Sequence, residues 1–193
     1  CGCALTWQRD FLVCTNHLDC PAQITSALEH FFNIHGQVDG FGPKSIEKLV
    51  AAGIDTLEKI YDSSVENFQE AGFGPGQSKN LRTELDRSLL VEIEDWRFLG
   101  AFGIPQLGLG DSRRLLQHMR LNDLAKVTQE EIIAIEGFAE ISSADIIGGL
   151  TKKWPTIKHM LNLGFNLTKT PLLEESANIE SPIMGKKIVF TGK

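Results

Sequence analysis

Gly40-Phe41-Gly42-Pro43 and Gly72-Phe73-Gly74-Pro75 are one four-residue stretch written twice, and its reading sets the architecture of the whole chain. An apolar residue stands seven positions after the second glycine of each copy, Leu49 in the first and Leu81 in the second. Weaker copies follow, with Gly108 preceding Leu115 and Ala139 preceding Ile146 by the same interval. Aligning Gly42, Gly74, Gly108 and Ala139 gives steps of 32, 34 and 31 residues. A period of this length marks a supersecondary unit used several times. The unit reads as helix, glycine turn, helix.

The letters of the turn have physical reasons. Two glycines around one apolar residue let the backbone take positive φ and reverse sharply, while Phe41 or Phe73 plugs the gap between the helices. Pro43 and Pro75 fall where the next helix starts, a position whose N–H has no helical partner anyway. The outcome is a helix N-terminus with bare backbone N–H groups, which binds an anion and above all a phosphate. Glycine used for geometry alone would explain a single copy equally well. Four copies in series turn the reading towards a nucleic-acid backbone.

Composition bounds the rest. The 193 residues, 42% apolar and 23% charged, suit a globular chain of one to three domains. No run of about 18 apolar residues occurs, so no transmembrane helix is expected. The first residue is Cys1 rather than Met and the final residues stop inside a pattern, so a longer parent protein is expected. The formal charge of −6 speaks against a nucleic-acid partner. Its distribution softens that: residues 151–193 carry seven basic and three acidic side chains, leaving 12 basic and 22 acidic in residues 1–150. Turns that offer backbone amides and helix dipoles need few lysines, at the expense of modest affinity per unit.

All four cysteines, Cys1, Cys3, Cys14 and Cys20, lie in residues 1–23. Residues 4–13 between them suit two short strands with a turn at Gln8–Asp10, as in a small zinc ribbon. Clustered cysteines in an otherwise cysteine-free chain favour a metal over disulfides, and zinc would organise a segment too small for its own core. A C-x-C pair is tighter than the usual knuckle, so Cys1, Cys14 and Cys20 are preferred as ligands to Cys3, with a fourth ligand expected three residues before Cys1.

Helical spacing then places Ile24, Leu28, Phe31 and Phe32 on one face. Thr56, Ser63-Ser64, Asn122 and Thr128 are candidate helix caps. Residues 85–101 read as one helix with an acidic face at Glu92, Glu94 and Asp95, and a separate last helix is expected around Trp154–Leu163. The third turn, Gly103–Gly108, has Gln106 where the pattern has its first glycine, and the fourth, Glu136–Ala139, has lost its second. Thr168–Pro182 reads as a polar linker, and Gly185–Gly192 as a buried strand opening another domain.

Together these pieces resemble the bacterial NAD-dependent DNA ligases. Cys14-Thr15-Asn16 with Cys20-Pro21-Ala22-Gln23 is similar to the second half of that family's zinc finger, and Cys1-Gly2 to the end of its C-P-x-C-G first half. The four turns resemble its helix-hairpin-helix domain, Leu163–Asn166 its closing segment, and Gly185–Gly192 the first strand of its BRCT domain. The resemblance implies a mainly α chain: a zinc-finger module at 1–23, four tandem helix-hairpin-helix motifs at 24–167, a linker at 168–184, and the truncated start of an α/β BRCT domain at 185–193. It further implies a parent that seals nicked DNA in replication and repair. There a lysine is adenylated from NAD, AMP passes to the 5′-phosphate, and the 3′-hydroxyl attacks. That lysine lies in a K-x-D-G motif which this chain does not contain, so no catalytic residue is carried over. The chain alone is expected to hold nicked duplex DNA without base specificity, as a monomer, in the bacterial cytoplasm on the nucleoid.

The residues expected at DNA are Gly40, Gly42, Lys44, Gly72, Gly74, Gly76, Lys79, Gly108, Gly110, Arg113, Arg114 and Gly137. Arg82 is a further cation within reach of the second turn. The second and third turns are favoured for contact, and the first for packing as much as binding. Two other readings stay open: a zinc and hairpin module that binds protein, in another repair protein or a catalytically inactive ligase-like one, or part of a nuclease with tandem hairpins.

Overall fold

The computed structural model describes residues 1–8, 10–16, 19–36 and 38–177. The strand expected at Gly185–Gly192 lies outside them. Among the described residues the chain is mainly helical, as its periodicity predicts. A short antiparallel pair, β1 (Leu5–Gln8) and β2 (Phe11–Cys14), sets Leu5 opposite Cys14 and Gln8 opposite Phe11. Helices follow: α1 (Pro21–His35), α2 (Pro43–Ala51), α3 (Leu57–Asp62), α4 (Val65–Glu70) and α5 (Pro75–Leu90). Then come β3 (Ile93–Glu94), α6 (Asp95–Gly100), α7 (Leu109–Leu116), a 3-10 turn (Leu121–Ala125), α8 (Gln129–Ile133) and α9 (Glu140–Asn162). The described part closes with β4 (Leu167–Thr168) and α10 (Leu173–Ala177).

Helices joined by a turn pack on each other: α1 on α2, α4 on α5, α6 on α7, and α8 on α9. Contacts of α1 with α6 and of α3 with α9 close these pairs around one core. Rings fill its centre. Phe31 meets Phe102 at 5.4 Å, Phe98 meets Phe165 at 5.2 Å, and Phe32 stacks on Phe41 at 4.4 Å. Such pairs add about 0.5–1.5 kcal/mol each beyond their burial. Burial raises the Tyr61 phenol to about 12, and its hydroxyl lies 3.0 Å from Ser88 Oγ.

Several expectations need correction. The helix read through residues 85–101 is interrupted, because Ile93 is buried in a two-residue strand that pairs in parallel with Leu167. Asp95, assigned to a solvated acidic face, is only 4% exposed and caps this junction. Its Oδ1 accepts from the Thr170 N–H at 3.0 Å and from the Thr170 hydroxyl at 2.5 Å. The start of the expected linker, through Thr170, is thereby held on the helical body. Finally, α9 does not stop before Trp154 but runs through Pro155. Ile146, Leu150, Ile157 and Met160 form one buried stripe, and its burial offsets the roughly 3 kcal/mol that an interior proline costs. Among the caps, Thr56, Ser64 and Thr128 accept backbone N–H bonds as expected, whereas Asn122 lies inside the 3-10 turn.

His35 is buried at 1% exposure beside Phe31 and Phe165, and among the described residues neither ring nitrogen has a hydrogen-bond partner. Desolvation, then the charges of Arg87 on α5 and Arg97 on α6, push it down to about 4. The unfolded chain takes up a proton near pH 6.5 while the folded one does not until about pH 4. Stability is therefore complete above that window and lost as pH falls through it. His35→Phe should remove about 2 kcal/mol of the stability loss between pH 7 and pH 5, read from urea unfolding.

Gln106 is the described non-glycine residue with positive φ, at 59°. It takes the left-handed conformation that Gly40 and Gly72 take at 88° and 90°. The turn thus keeps its shape without its glycine, at a cost on the order of 1 kcal/mol. In equilibrium unfolding Gln106→Gly should stabilise the chain by about 0.5 kcal/mol, and Gln106→Val should destabilise it by about 1 kcal/mol or more.

Candidate nucleic-acid interface

Three helix starts are closed by a side chain, whereas α1 at Cys20 and α6 at Glu94 lack such a cap, as do the starts that follow the turns. Thr56, Ser64 and Thr128 cap α3, α4 and α8 with their hydroxyls, and Asn67 and Glu131 complete capping boxes. By contrast α2, α5, α7 and α9 start on Gly42, Gly74, Gly108 and Ala139, with no side chain accepting from the first turn. These are the four aligned positions of the sequence repeat. Each has extended backbone, from φ −66° at Gly74 to −103° at Ala139. Each follows a buried plug: Phe41, Phe73, Leu107 and Phe138.

The two glycines of a turn therefore do different things. The first sits at positive φ (Gly40, Gly72 and, in the fourth turn, Gly137 at 97°). The second does not need glycine for its backbone, and a Cβ built at Gly42, Gly74 or Gly108 meets nothing within 4 Å. Gly76 and Gly110, two residues on, are equally open. Neither the fold nor the packing requires glycine there. What glycine provides is a helix N-terminus that another molecule can approach down to its backbone.

The surrounding charge differs from turn to turn. Lys79 and Arg113 are exposed and occupy the same place, five residues after Gly74 and Gly108. The corresponding residues after Gly42 and Ala139 are Glu47 and Ala144, and Lys44 supplies the exposed cation of the first turn. The first turns of α2 and α5 hold no acidic residue, whereas α7 has Asp111 and α9 has Glu140. At the fourth start the Ala139 N–H donates to Ser142 Oγ at 3.0 Å, so one of its amides is already used. Arg113 lies 6.0 Å from the Trp96 ring, with Arg97 at 5.5 Å from the same ring.

Two expected cations are engaged within the protein. Arg82 donates to the carbonyls of Tyr61 at 2.6 Å and Ser63 at 3.0 Å and pairs with Asp86, so it ties α5 to α3. Arg114 pairs with Asp111 at 2.8 Å and lies against Gly137. Lys48, which the sequence reading passed over, donates to the Gly72 carbonyl. Its signal was available, since Lys48 and Arg114 both stand six residues after an aligned glycine. The turns are also brought together in twos. A Cβ at Gly40 would meet Leu81 of α5 at 2.9 Å, and one at Gly149 of α9 would meet Ile104 and Pro105 of the third turn at 2.7 and 2.9 Å.

At the other end of the chain, the ligand atoms of Cys1, Cys14 and Cys20 all lie within 4.8 Å of one another, with Cys1 and Cys14 sulfurs 3.5 Å apart. Tetrahedral zinc with bonds of about 2.3 Å sets its sulfurs about 3.8 Å apart. The trio fits three corners of such a site. Cys3 lies outside this cluster, and among the described residues no fourth donor joins it. The backbone N–H of Gln23, with the Cys14 thiol and the N–H of Ala22, holds the Cys20 thiol below its ordinary range despite burial. Cys20 stands at the N-terminal start of α1, where helix N–H groups favour a thiolate ready for metal.

The family model of the SAM-like helix-hairpin-helix tandem matches residues 36–87, which hold the first two turns. The whole chain also aligns with bacterial proteins. It is 48% identical over 192 residues to the DNA ligase of Desulfatibacillum aliphaticivorans, and 46% over 194 residues to that of Desulfotalea psychrophila. Identity to the DNA ligase of Shewanella baltica is 45% over 193 residues. These alignments take in 100% of the chain and 29% to 30% of each relative. The chain is thus a relative, over its full length, of one segment of the DNA ligases, and spans about 30% of the length of the curated relatives it matches.

If the second glycine of each turn serves approach rather than folding, Gly74→Asp should keep or raise stability by a few tenths of a kcal/mol, since Asp is a good cap. A loss of more than about 1 kcal/mol in urea unfolding would instead make that glycine a requirement of the fold.

Proposed function

We propose that this chain is the DNA-binding part of an NAD-dependent DNA ligase that acts in replication and repair. It holds the backbone of nicked duplex DNA without reading bases, while a part of the parent protein outside the chain performs adenylation and sealing. The observation that carries this reading is the set of open, uncapped helix starts at Gly42, Gly74 and Gly108. A phosphate accepted there satisfies amides that nothing else covers and lies at the positive end of a helix dipole. In this reading all four turns are helix-hairpin-helix motifs within residues 24–167. The second and third, with Lys79 and Arg113 beside the amides, make the main contacts. Lys44 assists at the first, and the fourth serves chiefly packing.

Cys1, Cys14 and Cys20 hold a structural zinc with a fourth donor that completes the tetrahedron, in a finger over residues 1–23. Residues 185–193 begin a BRCT domain, and the protein works as a monomer on the bacterial nucleoid. No helix among the described residues is long and apolar enough to cross a membrane, and the reading needs none.

The overall charge of −6 restricts what is expected. With few phosphate contacts, log K should fall against log salt with a slope of about −2 to −4, and affinity should be weak at physiological salt. The test is a titration of nicked duplex by fluorescence anisotropy at several salt concentrations. The wild type should bind at low salt and be insensitive to sequence, and Gly74→Asp should lose about tenfold or more. Binding that ignores salt, no binding at low salt, or an unaffected Gly74→Asp variant would favour a protein-docking module instead.

A further inference from the structure

Lys48 and Arg114 perform the same task in two places. Each stands on the helix that leaves one turn, α2 and α7 respectively, six residues after its aligned glycine. Lys48 Nζ donates to the Gly72 carbonyl and lies 4.6 Å from the centroid of the Phe73 ring. The Arg114 guanidinium lies 6.0 Å from the centroid of the Phe138 ring, and its Nη1 is 2.8 Å from where a Cβ on Gly137 would stand. In both places a cation of the earlier turn grips the left-handed glycine and the plug ring of the later one. At Gly72 the cation sits on the peptide between that glycine and the ring, and at Gly137 the guanidinium lies against the glycine and over the ring. The orientation of that peptide sets how the chain enters the next helix start, Gly74 or Ala139.

We propose that Lys48 and Arg114 are positioning residues that couple the turns in two pairs, the first with the second and the third with the fourth, so that a neighbour's helix start is held ready for phosphate. Neither cation touches the phosphate itself. Lys48 already serves a carbonyl and a ring, and Arg114 is shared between a ring and Asp111. Lys48 has the larger consequence, because the start it braces, Gly74, is open and has Lys79 beside it, whereas the Ala139 amide is taken by Ser142. Lysine in one pair and arginine in the other do the same work, so the role requires a cation of adequate reach and not one particular geometry. This inference rests on the DNA-backbone reading above.

The test uses the full 193-residue chain as wild type, Lys48→Met, Lys48→Arg and Lys79→Met. Lys48→Met should keep the far-ultraviolet circular dichroism of the wild type and weaken nicked-duplex binding about five- to tenfold, with the salt slope unchanged. Lys48→Arg should restore affinity, whereas Lys79→Met, which removes a direct contact, should reduce the slope by about 0.9. A slope reduced to the same extent in Lys48→Met would make Lys48 a phosphate contact and overturn the inference, as would wild-type affinity. Amide hydrogen exchange without DNA provides a second reading that does not depend on binding. The amides of Phe73 and Ser78, which donate to the Phe68 and Gly74 carbonyls, should exchange faster in Lys48→Met, and unchanged exchange there overturns the inference even where duplex binding is intact. A wild type that fails to bind duplex while Lys48→Met still exchanges faster would instead remove the DNA reading and leave the brace as a packing device.

Discussion

One residue in the left-handed conformation, placed before each of four helices, is the constraint on which the rest of the structure depends. At Gly40, Gly72, Gln106 and Gly137 it reverses the chain within two residues. The reversal drives the next side chain, Phe41, Phe73, Leu107 or Phe138, into the core. The residue after that is then left outside, in extended backbone, at the start of a helix. A burial requirement and an exposure requirement are met by adjacent residues. Helices α3, α4 and α8 close their starts with Thr56, Ser64 and Thr128, while α1 and α6 start without a side-chain cap although no such turn precedes them; what marks the starts after the turns is the open backbone at Gly42, Gly74 and Gly108. A helix that starts on glycine leaves only about a few tenths of a kcal/mol of capping energy unrealised.

The turns do not stand alone. The first rests on α5 through Leu81, and its Asp39 N–H donates to Glu84 at 3.0 Å. In return Lys48 of α2 reaches the second turn. The third rests on Gly149 of α9, while Arg114 of α7 reaches the fourth. Each turn of a pair thus packs on the helix that leaves the other. The short parallel pair of β3 with β4, together with the buried Asp95–Thr170 bonds, fastens the end of the described chain to α6. The scaffold consequently fixes where the open amides point. It supplies little net positive charge, so in the proposed DNA-binding role the amides and dipoles would have to provide most of the attraction.

Features governed by local chemistry were visible in the sequence. The turns, the plugs, three of the candidate caps and the converging trio of cysteines all depend on residues close in the chain or on a repeated spacing. What escaped depends on partners far away in sequence. Ile93 looked helical between Leu89 and Phe98, and only Leu167, 74 positions later, makes it a strand. Asp95 looked solvated among other carboxylates until Thr170 supplied two donors. Pro155 looked like a boundary, yet the stripe from Ile146 to Met160 is buried on both sides of it. Of the candidate DNA contacts, Lys44, Lys79 and Arg113 are exposed, whereas Arg114, like the neighbouring cation Arg82, is engaged in internal contacts that no spacing rule reveals.

In the proposed role the open helix starts themselves receive the phosphates. Amide chemical-shift mapping of the nitrogen-15-labelled chain against nicked duplex tests it most directly. The largest shifts should fall on the first-turn amides of α5 and α7, residues 76–78 and 110–112, with smaller ones at 44–46. Shifts concentrated on β1 and β2 or on α3 and α4, with those first-turn amides unmoved, would contradict it.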